Sequence, residues 1–283
     1  FAARLRLSAS AMISMTKGGE YDMADPVILS SRKGKVGILT INRPKTLNAL
    51  DIPTSLDLEK AFAAMEGDAG IAVIVITGAG ERAFVAGGDI ADLNARQALA
   101  HYVEFAEVIH RVFRRIELCD KPTIAAINGW ALGGGTELLL STDIRLAAEH
   151  ARMGLPEITL GIIPGAGGTQ RITRQVPLCR AKELMFTGDH IDARTALEIG
   201  LINRVVPKEK LMEETLALAE RIAERSPLIL RVLKRTIGNG ADMTLAAALT
   251  HEQAMASLVF DSHDAHEGCS AFLEKRKAEF KGR

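Results

Sequence analysis

The spacing of apolar residues changes several times along the chain. Val27–Ser31 and Val36–Asn42 read as two short strands split by the turn Arg32-Lys33-Gly34-Lys35, a hairpin pattern. From Asp51 to Met65 the apolar residues Leu56, Leu58, Ala61, Phe62 and Met65 recur at helical spacing. Ile71–Thr77 is a continuous β-branched run, as expected of a strand buried on both faces. Val103, Phe105, Ala106, Ile109, Val112, Phe113 and Ile116 then form one helical face. Thr123–Ile127 reads as a strand, Gly134–Leu140 as the opening of a helix, and Asp143–Ala148 as a strand again.

Strand and helix alternate in this way to about Val206, which predicts an α/β core with mostly parallel strands over residues 26–206. Beyond Pro207 no strand pattern occurs. Lys208–Arg225, Pro227–Gly238, Met243–Val259 and Asp264–Lys277 read as helices, so residues 207–283 form a helical C-terminal region. Residues 1–25 are set apart. Phe1–Gly19 carries Arg4, Arg6 and Lys17, no acid, and several Ala and Ser. A leader is the preferred reading; a transit-peptide remnant or an extension ahead of Met12, Met15 or Met23 is the other.

Composition narrows the functional classes. Hydrophobic residues make up 47% of the 283, enough for a large core. The 35 basic and 35 acidic residues balance, and only 4% of residues are aromatic, which argues against nucleic acid as a partner. No apolar run approaches the ~18 residues of a membrane span. Cys119, Cys179 and Cys269 are too sparse for a disulfide framework and contain no CxxC, so a reducing compartment is expected. The seven histidines show no metal-ligand spacing, and His101 and His110 are expected on a helix surface. Phosphate-loop, nucleophile-elbow and HExxH motifs do not occur. Gly78–Ala83 fits GxGxxA, but it runs into Phe84-Val85 rather than a helix, so a plain turn is the better reading.

Two glycine-rich turns carry more meaning. Ala86-Gly87-Gly88 follows a short extended piece, and Gly133-Gly134-Gly135 leads into a helix. Three successive glycines would cost a helix interior about 1 kcal/mol each. At a helix start they expose backbone N–H groups suited to an anion, although close helix–strand packing would also explain either turn alone. Together they can aim two N–H groups at one carbonyl oxygen as it gains charge. Two carboxylates lie close by in sequence: Glu137 just inside the helix, and Glu157 after Gly154-Leu155-Pro156. Ile162–Thr169 supplies a further glycine-rich helix start.

The stretches Ile41–Leu50, Ala83–Ile90, Asn128–Leu138 and Pro156–Arg171, closing with Glu267–Lys277, resemble those of the enoyl-CoA hydratase/isomerase (crotonase) family. The resemblance runs from about Val27 to the end of the chain. It implies a spiral of ββα units with a C-terminal helical trimerisation region, assembled as a trimer or dimer of trimers. It implies an acyl-CoA substrate whose thioester oxygen is held by the backbone N–H groups of Gly88 and Gly134. Many members of the family carry alanine where this chain has Gly88, so a looser loop is expected here.

Both glutamates together imply syn hydration of a trans-2-enoyl-CoA to a 3-hydroxyacyl-CoA. Glu137 would assist attack of water at C3, and Glu157 would deliver the proton to C2. No cofactor and no metal are implied. For the CoA moiety the resemblance points to Lys45 and Leu47, with Ala86, Asp89 and Ile90 along the pantetheine and thioester. Phe272 and Lys275 would reach the adenine end from a neighbouring subunit, or else simply form a solvated helix end. The pocket wall is expected from Ala91–Phe113. The alternatives are a Δ3-Δ2 enoyl-CoA isomerase, a specialised acyl-CoA dehydratase, and, from another class, an RNA-binding relative. RNA binding would need a basic helix, and His101–Leu118 mixes Arg111, Arg114 and Arg115 with Glu104, Glu107 and Glu117. The expected location is the cytoplasm, or the mitochondrial matrix if residues 1–25 are a native presequence.

Overall fold

The computed structural model describes residues 26–283, so the expected leader lies outside the described residues. The chain opens with the antiparallel hairpin β1 (Ile28–Lys33) and β2 (Val36–Ile41), turned at Gly34 with φ 57°. Helix α1 (Ile52–Gly67) follows, capped by Asp51, whose side chain accepts from the N–H of Thr54. A repeating unit then sets in. Strand β3 (Val73–Gly78) is followed by the short β4 (Ala83–Val85) and helices α2 (Ile90–Ala95) and α3 (Leu99–Leu118). β5 (Thr123–Ile127), β6 (Trp130–Leu132) and α4 (Gly134–Leu140) form the next unit. β7 (Ile144–Ala148), β8 (Arg152–Gly154), α5 (Gly168–Gln175) and α6 (Leu178–Thr187) form another. β9 (Ile191–Asp192), α7 (Ala193–Glu198) and β10 (Arg204–Val206) close the core.

Each unit gives its first strand to one sheet and its second to another. The larger sheet has the order β1-β2-β3-β5-β7-β10 and the smaller β4-β6-β8-β9. Apart from the antiparallel pairs β1–β2 and β8–β9, neighbours run parallel, as the alternation of strand and helix requires. β3 is buried along its whole length, in accord with its β-branched run. Where the chain leaves the larger sheet for the smaller, backbone groups lose their ladder partners. Asparagine side chains replace them: Asn128 accepts from the Gly78 N–H (3.2 Å) and donates to the Gly80 carbonyl (2.8 Å), and Asn48 donates to the Ala83 carbonyl (2.8 Å). Gly78–Ala83 is thus a turn between strands rather than a dinucleotide loop.

Two of the three arginines of α3 are tied to α1, Arg111 to Glu59 at 2.8 Å and Arg115 to Glu66 at 2.7 Å, which leaves exposed Arg114 and no free basic stripe. His101 corrects an expectation: it is buried in the first turn of α3, its Nε2 3.4 Å from Asp92 of α2, because that turn tucks against α2.

Beyond β10 the chain is helical: α8 (Leu211–Ala223), α9 (Pro227–Ala241), α10 (Leu245–Phe260) and α11 (His263–Leu273). α8 packs on the larger sheet, while α9 and α10 form a hairpin that leaves Leu233, Ile237, Leu245, Leu249 and Phe260 exposed. α11 ends four residues earlier than the apolar pattern predicts. Lys275 adopts φ 56°, and the N–H of Arg276 bonds the Ala271 carbonyl at 3.0 Å, a left-handed helix stop. The segment after it folds back onto buried Asp264, which accepts from the N–H groups of Lys281 and Gly282 at 2.8 Å each and from Ser226 Oγ. Among the described residues no helix is long and apolar enough to cross a membrane.

Gly135 sits where α4 presses on β4, and a methyl group there would collide with the Val85 carbonyl oxygen. Gly135→Ala is expected to cost at least ~3 kcal/mol in urea unfolding, or to prevent folding. Gly134→Ala, whose added carbon meets only ordinary contacts, keeps near-normal stability.

Candidate active site

Three neighbouring parallel strands of the smaller sheet, β4, β6 and β8, stop at the same edge. Gly87-Gly88 follows the first, Gly133-Gly134 the second and Pro156-Glu157 the third. Strand ends of this kind are where open parallel sheets offer free backbone groups to ligands.

Gly88 lies in a parallel bridge with Leu50. The N–H of Leu50 bonds Gly87 O and the N–H of Asp89 bonds Leu50 O, each at 2.8 Å. This bridge uses the groups on either side of Gly88 and leaves its own N–H out. Gly134 is the first residue of α4, so its N–H has no acceptor in the preceding turn. The two are adjacent: a carbon placed on Gly134 Cα would lie 3.5 Å from the Gly88 nitrogen. Neither N–H has a backbone acceptor among the described residues.

The carboxylates stand in different surroundings. Glu137, one turn into α4, is 3% exposed, and its Oε1 accepts from the N–H groups of Ala166 at 2.7 Å and Gly168 at 2.8 Å. Burial raises its pKa, opposed by those two N–H groups and by Arg171. Arg171 fastens the same loop by donating to Ala166 O at 3.0 Å while paired with Glu117 at 2.9 Å. Glu157 lies in the 3-10 turn Pro156–Leu160, which ends on Gly161 at φ 73°. Its carboxylate fills space that a side chain on Gly133 would take, Oε1 being 2.8 Å from the position of the missing carbon. Its Oε2 is shielded from water and has no hydrogen-bond partner among the described residues. Burial, against the pull of its own N–H and with the charge of Glu137 adding to it, pushes the Glu157 pKa up to about 7.

Both glutamates, both glycines, Ala86 and Ile90 line one cavity. Its apolar walls are Leu93, Phe105 and Ile109 on one side, within the expected Ala91–Phe113, and Leu160, Ile162 and Ile163 on the other, which the sequence did not suggest. Tyr102, within the same expected stretch, is a polar wall residue. Its phenol is shifted upward by burial and by the charges of Glu137 and Glu157. Of the other candidates, Leu47 touches the rim by accepting from the N–H of Ala86 at 3.1 Å, and Lys45 is exposed on the preceding turn Pro44–Thr46. Asp89 does not line the cavity; its carboxylate caps α2 and pairs with Arg43. Phe272 lines a separate apolar hollow between α9 and α11, and Lys275 follows it at the helix stop, so neither reaches the cavity of its own chain.

A family profile described as enoyl-CoA hydratase/isomerase matches residues 31–283. The chain belongs to the enoyl-CoA hydratase/isomerase family. It is 42% identical over 257 residues to the short-chain-enoyl-CoA hydratase of Clostridium acetobutylicum, covering 90% of this chain and 98% of that protein. It is 43% identical over 258 residues to the crotonyl-CoA hydratase of Syntrophomonas wolfei, covering 91% and 99%. The crystal structure of an enoyl-CoA hydratase from Bacillus anthracis superposes with a TM-score of 0.88 at 39% identity, over 91% of this chain and 100% of the other. The spiral of ββα units is the fold that membership of this family implies.

The raised pKa of Glu157 makes stability depend on pH. Folding favours the protonated carboxyl, so this contribution is complete below the ordinary value of 4.5 and is lost as the pH rises through about 7. Glu157→Gln keeps the shape without the charge. It is expected to raise the melting temperature at about pH 8.5 and to leave it nearly unchanged near pH 5.

Proposed function

We propose that this protein is an enoyl-CoA hydratase that adds water across the double bond of a trans-2-enoyl-CoA. The observation that carries this reading is the pair of unlike carboxylates facing one cavity beside the two free N–H groups. The thioester oxygen would lie between the N–H groups of Gly88 and Gly134, where charge developing in the enolate is stabilised without reorganisation. One water would be held between the glutamates. Glu137, its charged form favoured by the Ala166 and Gly168 N–H groups, takes a proton from that water as the oxygen bonds to C3. Glu157, near half-protonated at neutral pH, gives its proton to C2. The product is a 3-hydroxyacyl-CoA, and proton exchange between the glutamates and solvent resets the site.

This chemistry calls on no separate cofactor or metal. The electrophile is the conjugated thioester itself. Lys45 and Leu47 lie on the loop beside Ala86 and are suited to the CoA strand of the substrate, with Ala86 and Ile90 against the pantetheine and thioester. The mostly apolar walls suit an acyl chain, and the names of the two bacterial relatives favour a short one. The exposed apolar side chains of α9 and α10 would be covered in a homotrimer or a dimer of trimers, where Phe272 and Lys275 of one copy can meet CoA bound to another. The three cysteines are unpaired, as in a reducing compartment such as the cytoplasm.

Purified protein is expected to bleach the conjugated-thioester absorbance of crotonyl-CoA. Glu137→Gln and Glu157→Gln should each lower kcat by roughly 10²–10⁴-fold. Full activity in both variants would sink the mechanism. Because the acid form of Glu157 is lost as the pH rises through about 7, kcat/KM for hydration should decline above that pH. A rate that climbs steadily across this range would reverse the roles given to the two glutamates.

A further inference from the structure

The loop that presents Gly88 is made of two consecutive glycines, one of them, Gly87, at φ 116°. Such a segment is costly to hold in one conformation. The displacement of a single oxyanion donor by about 1 Å can cost on the order of 10²-fold in rate. Something outside the loop must therefore fix it. Leu50 does so on the backbone, bonded to the residues on both sides of Gly88. Leu50 belongs to the segment 43–51, which is held by Asn48, whose Oδ1 accepts from the Arg43 N–H at 2.9 Å, and by one cationic side chain.

That side chain is Arg43. Its guanidinium donates to the Ala49 carbonyl at 2.5 Å and lies 3.1 Å from the Asp51 carboxylate and 3.2 Å from the Asp89 carboxylate. The three side chains are largely buried, at 19%, 19% and 17% exposure, where a charged hydrogen bond is least screened. Asp51 caps α1 and Asp89 caps α2. Asp89 directly follows Gly88, and Ala49 directly precedes Leu50. One planar cation thus grips the loop that carries Gly88 and the segment that brackets it.

We propose that Arg43 is a positioning residue for the oxyanion site: through Asp89 and Ala49 it fixes the direction of the Gly88 N–H. Lysine cannot serve equally, because a single ammonium group does not match the planar fork that bonds the Ala49 carbonyl and the Asp89 carboxylate while paired with Asp51. The Gly88 loop, looser than an alanine loop by its own chemistry, is made rigid from outside. The inference rests on the oxyanion role of Gly88 given above.

The test compares wild type, Arg43→Ala, Arg43→Lys and Asp89→Asn. Hydration of crotonyl-CoA is followed together with the absorption of a bound cinnamoyl-CoA, whose conjugated carbonyl shifts to the red when polarised. Arg43→Ala is expected to lower kcat about 30-fold or more with KM changed less than about threefold, and to lose most of the red shift. Arg43→Lys and Asp89→Asn should fall between, and Arg43→Ala combined with Asp89→Asn should be no worse than Arg43→Ala alone. Folded Arg43→Ala with kcat within twofold of wild type, or with the full red shift, overturns the proposal. If Arg43→Ala does not fold, Asp89→Asn with a wild-type red shift and kcat overturns it equally. Wild-type protein that shifts cinnamoyl-CoA but hydrates nothing would instead count against the hydratase reading and leave the red-shift comparison to decide the role of Arg43.

Discussion

A buried backbone N–H without an acceptor costs on the order of 1–3 kcal/mol, so folded chains rarely keep one. Here two N–H groups without a backbone acceptor stand side by side on the cavity wall, at buried Gly134 and half-buried Gly88. They exist because strands β4 and β6 stop short while the chain turns into a bridge or a helix. The surrounding structure bears that cost: the buried β3, the asparagine side chains that satisfy the backbone between the sheets, and the close seat of α4 on β4. Glycine at Gly135 is the condition for that seat, since any side chain would drive α4 away and separate the two N–H groups.

The carboxylates show how one fold gives two groups of the same kind different surroundings, although burial raises the pKa of both. Glu137 is the more buried, yet it receives two backbone hydrogen bonds from the loop that Arg171 fastens. Glu157 has little besides its own N–H to support a charge, and it faces the charge of Glu137. The difference comes from where each chain segment enters the cavity. Glu137 rises from a helix and meets the start of α5. Glu157 sits on a short 3-10 turn, and its Oε2 has no hydrogen-bond partner among the described residues.

Much of this could be read from the residues. The β-branched run of β3, the helical face of α3 and the glycines at the ends of β4 and β6 all carry local signals. The strands β6, β8 and β9, two or three residues each, are too short to show a period, so the smaller sheet was not visible. Long-range pairings left no trace either. Nothing near Arg43 in sequence shows that it meets Asp89, and nothing near Glu137 shows that Ala166 and Gly168 bond it. His101 was misplaced because its burial depends on α2, a six-residue helix with a weak pattern. The family resemblance places Asp89 along the substrate, whereas its carboxylate turns away to Arg43.

The common end of β4, β6 and β8 has a consequence for how such a protein can change. Each turn of the spiral brings one loop, and one chemical group, to the common edge. In the hydration proposed above, the loops after β4 and β6 supply polarisation through the main chain, which side-chain replacement hardly touches, and acid and base come from side chains on α4 and on the loop after β8. A carboxylate can therefore be removed, or moved to the facing walls at Leu93 or Ile162, while carbonyl activation persists. A lineage built on this plan can exchange one reaction for another through few substitutions, because the electrophile stays activated throughout.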